Sequence, residues 1–261
     1  MTNTERPPAR TRVVALGASN LTRLLPIMMR VRSAAFGQTP TACEWFAAMG
    51  LGRSYGVRSR FLFRQLPGID GCGLWSALAA AETPVDVENT TGVVTDVGND
   101  IFYGVEVEQI LAWVERALQQ LRPLVRRLVI TGVPASVFEL GAARFWLMRR
   151  IIVPSCKLDL AEGKRRAHAL HDGLRVLAER YDAQFYLAPR DWYGWDAIHV
   201  KRRHWRTFSE QVLDLPRAAD LPRLRGRTLP VAPDLRWMFG REQRTPQPAV
   251  RMPDGTTLSL Y

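Results

Sequence analysis

Residues 13–21, VVALGASNL, read as a buried strand that ends in a tight turn and passes straight into a helix. Val13, Val14, Ala15 and Leu16 form a continuous apolar run, the pattern of a strand covered on both faces. Gly17 breaks the run, and after Asn20 apolar residues recur with a helical period. Ser19 therefore stands where the strand ends and the helix begins. In an open parallel sheet that edge collects binding and catalytic groups, because side chains there stand clear of the core and the helix N–H groups point outward. A serine or asparagine at such a point also serves as a helix N-cap. This stretch alone leaves Ser19 with two readings, nucleophile and cap.

The same alternation continues. Residues 20–36 read as a helix, 41–49 as a second strand, 57–66 as a short helix and 74–82 as an Ala-rich helix. Residues 91–97 have the β-branched content of a third buried strand. A helix over 105–121, a strand over 128–133, helices over 136–152 and 158–181, a short strand over 183–187 and a last helix over 200–213 complete the pattern. Strands alternating with helices long enough to cross over predict a doubly wound, mostly parallel sheet of five strands. Residues 1–215 read as one domain, and from Pro216 the composition shifts to Pro and Arg. Residues 216–261 therefore read as an extended tail, with a small hairpin at Pro253-Asp254-Gly255.

With 261 residues and 47% hydrophobic side chains the chain can bury a sizeable core, yet no window approaches the roughly 20 apolar residues of a membrane span. The N-terminus lacks the apolar core of a secretory signal, and the three cysteines, Cys43, Cys72 and Cys156, lack metal-ligand spacing. The expected compartment is the cytoplasm. A net charge of +11 raises nucleic acid as a partner. The arginines are spread along solvated helix faces without a recognition signature, so no specific nucleic-acid partner is expected.

Loops after successive predicted strands carry a serine (Ser19), a glycine (Gly52), an asparagine (Asn99) and an Asp-x-x-His pair (Asp196, His199), in that order. An imidazole can take the proton of a serine hydroxyl while a carboxylate fixes its tautomer. Backbone N–H groups of Ser19 and Gly52 and the side-chain amide of Asn99 are the donors that can meet charge developing on a carbonyl oxygen. Gly50 and Gly56 compete with Gly52 for that role, and Asp191 competes with Asp196 as the histidine partner.

At these residues the sequence resembles the SGNH, or GDSL-type, hydrolases. Their four marks appear here as Gly17-Ala18-Ser19-Asn20, Gly52-Arg53-Ser54, Gly98-Asn99-Asp100 and Asp196-Ala197-Ile198-His199, spread over residues 12–213. The resemblance implies a three-layer α/β/α, flavodoxin-like fold and ester hydrolysis through a serine nucleophile, without a metal or organic cofactor. Ala18 departs from the pattern, since the family usually carries Asp before the nucleophile. The aromatics Trp192, Tyr193 and Trp195 precede the Asp-x-x-His pair and Arg53 adjoins Gly52; together they are the expected substrate-binding residues. They suggest a short acyl ester, such as acetyl, on a saccharide or other small polar alcohol, since no stretch near the four blocks offers an extended apolar groove. The alternatives are a catalytically weak or inactive binding protein on the same fold, or a lipase or thioesterase of that superfamily. The sequence carries no signal for an oligomeric state.

Overall fold

The first strand, β1 (Arg10–Leu16), is buried at every position after Arg10 and forms the centre of the molecule. A computed structural model describes residues 10–36, 42–82, 86–152, 156–217, 219–221 and 232–261. From β1 the chain continues through α1 (Ser19–Ala35), β2 (Ala42–Ala48), β3 (Ser59–Phe61), β4 (Arg64–Leu66), α2 (Leu74–Ala80) and β5 (Thr91–Val94). It goes on through α3 (Asn99–Phe102), α4 (Val107–Leu121), β6 (Arg127–Thr131), α5 (Ala135–Phe138), α6 (Ala142–Ile152), α7 (Leu160–Arg180), β7 (Gln184–Tyr186) and α8 (Trp205–Leu213). Four strands close the chain: β8 (Leu235–Met238), β9 (Arg241–Arg244), β10 (Val250–Arg251) and β11 (Thr257–Leu260).

The central sheet has the order β10-β11-β2-β1-β5-β6-β7. β1 pairs in parallel with β2 (Val13 opposite Trp45) and with β5 (Val13 opposite Thr91), and β6 and β7 follow in parallel. Alternate residues of β1 feed opposite layers: Val14 and Leu16 pack with α4 and α7, while Val13 and Ala15 pack with α1 and α8. This two-period alternation explains why β1 is apolar throughout. Among the described residues no helix is long and apolar enough to cross a membrane.

The five strands read from the sequence are the parallel core, but the sheet has seven. The other two come from the segment read as a tail: β11 pairs in parallel with β2, and β10 folds back antiparallel across the turn at Pro253–Gly255. β11 joins a strand more than 200 residues earlier (Leu258 opposite Trp45); a pairing partner so distant leaves no local trace. Residues 57–66 are not a helix. They form the β3–β4 hairpin, whose β4 pairs antiparallel with β8, so a second sheet, β3-β4-β8-β9, stands apart from the first. The predicted helix over 136–152 is two helices, separated at residues 139–141, and the buried Leu140 turns inward between them.

Candidate active site

Gly17 and Ala18 make the turn from β1 into α1. A Cβ on Gly17 would lie 2.6 Å from Thr95 Cγ2 and 3.0 Å from Leu21 Cβ, so a residue without a side chain is required where the ends of β1 and β5 meet. Ser19 is the first residue of α1 and Ala18 its N-cap, with no capping side-chain bond from either. Asp96 caps the helix instead. Its Oδ2 accepts the backbone N–H groups of Ala18 at 2.9 Å and Leu21 at 3.1 Å. A carboxylate there satisfies first-turn donors that a capping residue would ordinarily serve, and faces the positive end of the helix dipole. Asp96 reaches this position from just past β5 with φ +59°, a left-handed conformation that Asp adopts more readily than most residues. Sequence reasoning missed it by counting residue 96 as strand. The available signal was a charged residue ending a β-branched run, which demands a partner.

With its capping task taken over, the Ser19 hydroxyl points at His199: Oγ lies 2.8 Å from Nε2. On the other side of the ring, His199 Nδ1 lies 2.5 Å from Asp196 Oδ2. The second Asp196 oxygen accepts the backbone N–H groups of His199 at 3.0 Å and Ile198 at 3.3 Å. Burial pushes the Asp196 carboxyl up, but hydrogen bonding and charge from His199 and these N–H groups outweigh it and hold the group below its usual range. An ionised Asp196 makes Nδ1 the protonated nitrogen, which leaves Nε2 to accept the serine proton. Asp191 takes no part in this chain; it lies in the turn Arg190–Trp192, where its backbone carbonyl accepts Lys201 Nζ at 2.8 Å.

Asn20, the residue after the serine, fixes the two halves together. Its amide Nδ2 donates to Asp96 Oδ1 and to the Ile198 carbonyl, both at 2.8 Å, and its Oδ1 accepts the Val200 N–H at 2.9 Å. The residues on either side of His199 are thereby tied to α1.

Gly52 and Asn99 meet through the loop between β2 and β3. The Asn99 amide donates to the Arg53 carbonyl at 3.1 Å, and Tyr103 donates its hydroxyl to the Gly52 carbonyl at 2.7 Å. Gly52 has φ +68°, which favours glycine. The competing glycines answer to packing: a Cβ on Gly56 would run into the Trp113 ring and one on Gly50 into Leu66. Asp100, fully buried, braces the loop by accepting the Ser54 hydroxyl and the Tyr55 N–H, the latter at 2.9 Å. Burial pushes its carboxyl up, and these donors partly offset the rise.

Arg53 requires a correction. Its guanidinium is fully buried and donates to the carbonyls of Met49 and Tyr261, so it holds the loop to β11 and is not presented to a substrate. Burial lowers its pKa, an effect partly offset by the neighbouring Cys72 and Asp234. The three aromatics also part company. Tyr193 lines the cavity beside Ser19. Trp192 stacks on His204 with ring centroids 4.8 Å apart, and Trp195 is exposed beneath the Arg144 guanidinium.

That cavity, about 90 Å³, is lined by Ser19, Gly98 and Asn99 and by residues of β6 and of the helices α3, α5, α6 and α7. Val97, Ile101, Phe102, Val133, Val137, Leu140, Phe145, Leu160 and Ala167 make its walls apolar. The sequence offered no such groove, because the walls are assembled from stretches far apart in the chain, 97–102, 133–145 and 160–167.

No family model matches the chain, and no curated protein sequence matches it. Solved structures do. Est24, a carbohydrate acetylesterase from Sinorhizobium meliloti, superposes with a TM-score of 0.51 at 12% identity, over 78% of this chain and 97% of that one. The inhibitor-bound form of an M. smegmatis aryl esterase gives 0.50 at 12% identity, over 78% and 100%. The chain has the fold of these esterases. The side chains at the strand ends and on the walls of the cavity belong to the individual chain, so the shared fold does not fix its chemistry.

Proposed function

We propose that the chain is a serine hydrolase of carboxylic esters of the SGNH type, on the observation that Ser19, His199 and Asp196 form one continuous hydrogen-bonded series at 2.8 and 2.5 Å. Ser19 Oγ attacks the ester carbonyl as His199 Nε2 takes its proton, and Asp196 stabilises the imidazolium that results. The carbonyl oxygen gains negative charge and is met by the second N–H of the Asn99 amide and the backbone N–H groups of Ser19 and Gly52. Collapse breaks the bond to the alcohol, which leaves with the proton from His199, and the acyl group stays on Ser19. Water, deprotonated by His199, attacks the acyl-enzyme; the carboxylic acid departs and the serine recovers its proton.

These residues lie within 1–215, while 216–261 supplies β10 and β11 of the central sheet and the β8–β9 hairpin. The apolar cavity at Ser19 suits an acyl chain longer than acetyl, and this wall chemistry supports a different choice from the short acyl group suggested by the aromatic loop. The alcohol is placed on the solvent side. Free thiols at the buried Cys43 and Cys72 fit a reducing compartment such as the cytoplasm. Labelling with a fluorophosphonate and mapping the adduct tests the proposal. An adduct on Ser19, absent in an inactive Ser19→Ala, supports it; an adduct elsewhere with full activity in Ser19→Ala overturns it.

A further inference from the structure

The second sheet ends in two hairpin tips whose composition suits neither a core nor an ordinary surface. Leu62 and Phe63 turn between β3 and β4; Phe239 and Gly240 turn between β8 and β9. The tips are joined: Phe239 N–H donates to the Phe63 carbonyl at 3.0 Å, and the two phenyl rings stack with centroids 4.7 Å apart. Leu62 is 70% exposed and Phe239 77%. Both are also held in left-handed conformations, φ +55° and +50°, where a large side chain is strained. Asn or Gly would serve a turn there better on both counts. Two strained, exposed apolar side chains at one end of a small sheet are a cost that folding does not explain.

The surroundings are basic. Segments 58–66 and 235–244 carry six arginines, Arg58, Arg60, Arg64, Arg236, Arg241 and Arg244, against one glutamate, Glu242. Arg58, Arg60 and Arg241 are exposed, Arg58 lies 3.9 Å over the half-buried Trp237 ring, and Arg244, at the far end of β9, is ion-paired with Glu242 at 2.9 Å. An apolar tip with Arg60, Arg64 and Arg241 next to it in the strands, and an indole behind it, has the chemistry of an interfacial anchor. A second copy of the same face would set arginine against arginine, so charge complementarity argues against self-association. We propose that the Leu62–Phe63–Phe239 tip docks on an anionic lipid surface, the apolar side chains entering the acyl boundary and the arginines meeting the headgroups. The face adjoins the candidate site, since Phe61 lies within 4 Å of the position a Cβ on Gly52 would take. The docking does not depend on ester hydrolysis.

Co-sedimentation of the full chain with phosphatidylcholine vesicles, with and without phosphatidylserine, tests this. The chain is expected to partition onto the phosphatidylserine vesicles in preference to the neutral ones, and more weakly at high salt. The double variant Leu62→Asn/Phe239→Asn keeps residues that accept the left-handed conformation, so folding is retained. Its partitioning should fall about tenfold or more, while turnover of a water-soluble 4-nitrophenyl ester stays unchanged and thermal unfolding stays cooperative. Absence of binding to phosphatidylserine vesicles, or equal binding by the double variant, overturns the proposal. So does a wild-type dimer that the same substitutions dissociate, which would assign the face to a second copy.

Discussion

The Asn20 amide donates to Asp96 Oδ1 at 2.8 Å, and through that bond the capped start of α1 and the loop that carries His199 become one unit. Asp96 approaches from β5, and Asn20 extends from it to the carbonyl of Ile198 and the N–H of Val200. The distance between serine and imidazole is thus set by residues that need not touch a substrate. Ala18 itself carries no carboxylate, and the one at this turn comes from Asp96, which accepts the Ala18 N–H.

Asp96→Asn tests that bracing. Asn tolerates φ +59°, so the backbone can be kept, but its NH2 must face either the Ala18 and Leu21 N–H groups or the Asn20 amide, donor against donor. Loss of such charge-assisted bonds should cost about 2 kcal/mol in urea unfolding. Loosening of the serine–histidine geometry should lower kcat by about tenfold to a hundredfold with little change in KM. A variant with wild-type kcat would show that Asp96 supports folding alone.

The elements that the sequence revealed were those whose cause is local. The apolar run of β1, the stripe of α4 (Ile110, Val114, Leu118, Leu121) and the order of Ser19, Asn99, Asp196 and His199 could all be read directly. What escaped depends on partners far along the chain. Segment 57–66 turns into a hairpin because β8 pairs with β4 some 170 residues later (Arg64 opposite Met238). Arg53 is indistinguishable in sequence from a surface cation, and only the β11 edge arriving over it through Tyr261 makes it a buried one. Trp192 and Trp195 carried the same local signal as Tyr193 yet face different surroundings.

Asp196→Asn should leave the fold intact and reduce kcat by about 10⁴, because an amide no longer selects the Nδ1-protonated tautomer. Asp191→Asn should stay near wild type. The pH profile adds a second check. A carboxyl held below its ordinary range keeps its stabilising interactions at all pH above that range and loses them only as the pH falls through the lowered value. Asp196 therefore stays ionised through the ordinary carboxylate range, and kcat/KM should show no step there from loss of this carboxylate. A step within that range, absent in Asp196→Asn, would show that the carboxyl is not held down.

Asn99→Ala removes an amide with one hydrogen committed to the Arg53 carbonyl and one available to a substrate oxygen. Turnover should fall by about 10² to 10³, with the loss in kcat. If KM alone rises, the amide binds the ground state and does not meet the developing charge.

The acyl preference can be tested from inside the cavity. Val137 on α5 lines it and is only half-buried, so a larger side chain can be accommodated without rebuilding the core. Wild type should turn over octanoyl 4-nitrophenyl ester with a higher kcat/KM than the acetyl ester, because each buried methylene contributes about 0.8 kcal/mol that an acetyl group cannot collect. Val137→Phe fills part of the cavity. It should cut kcat/KM for octanoyl by about tenfold or more and leave acetyl nearly unchanged, so the ratio of the two esters falls although Ser19, His199 and Asp196 are untouched. A wild type that prefers acetyl, with a ratio that Val137→Phe does not move, would place the acyl group outside this cavity and return the choice to the short esters suggested by the aromatic loop.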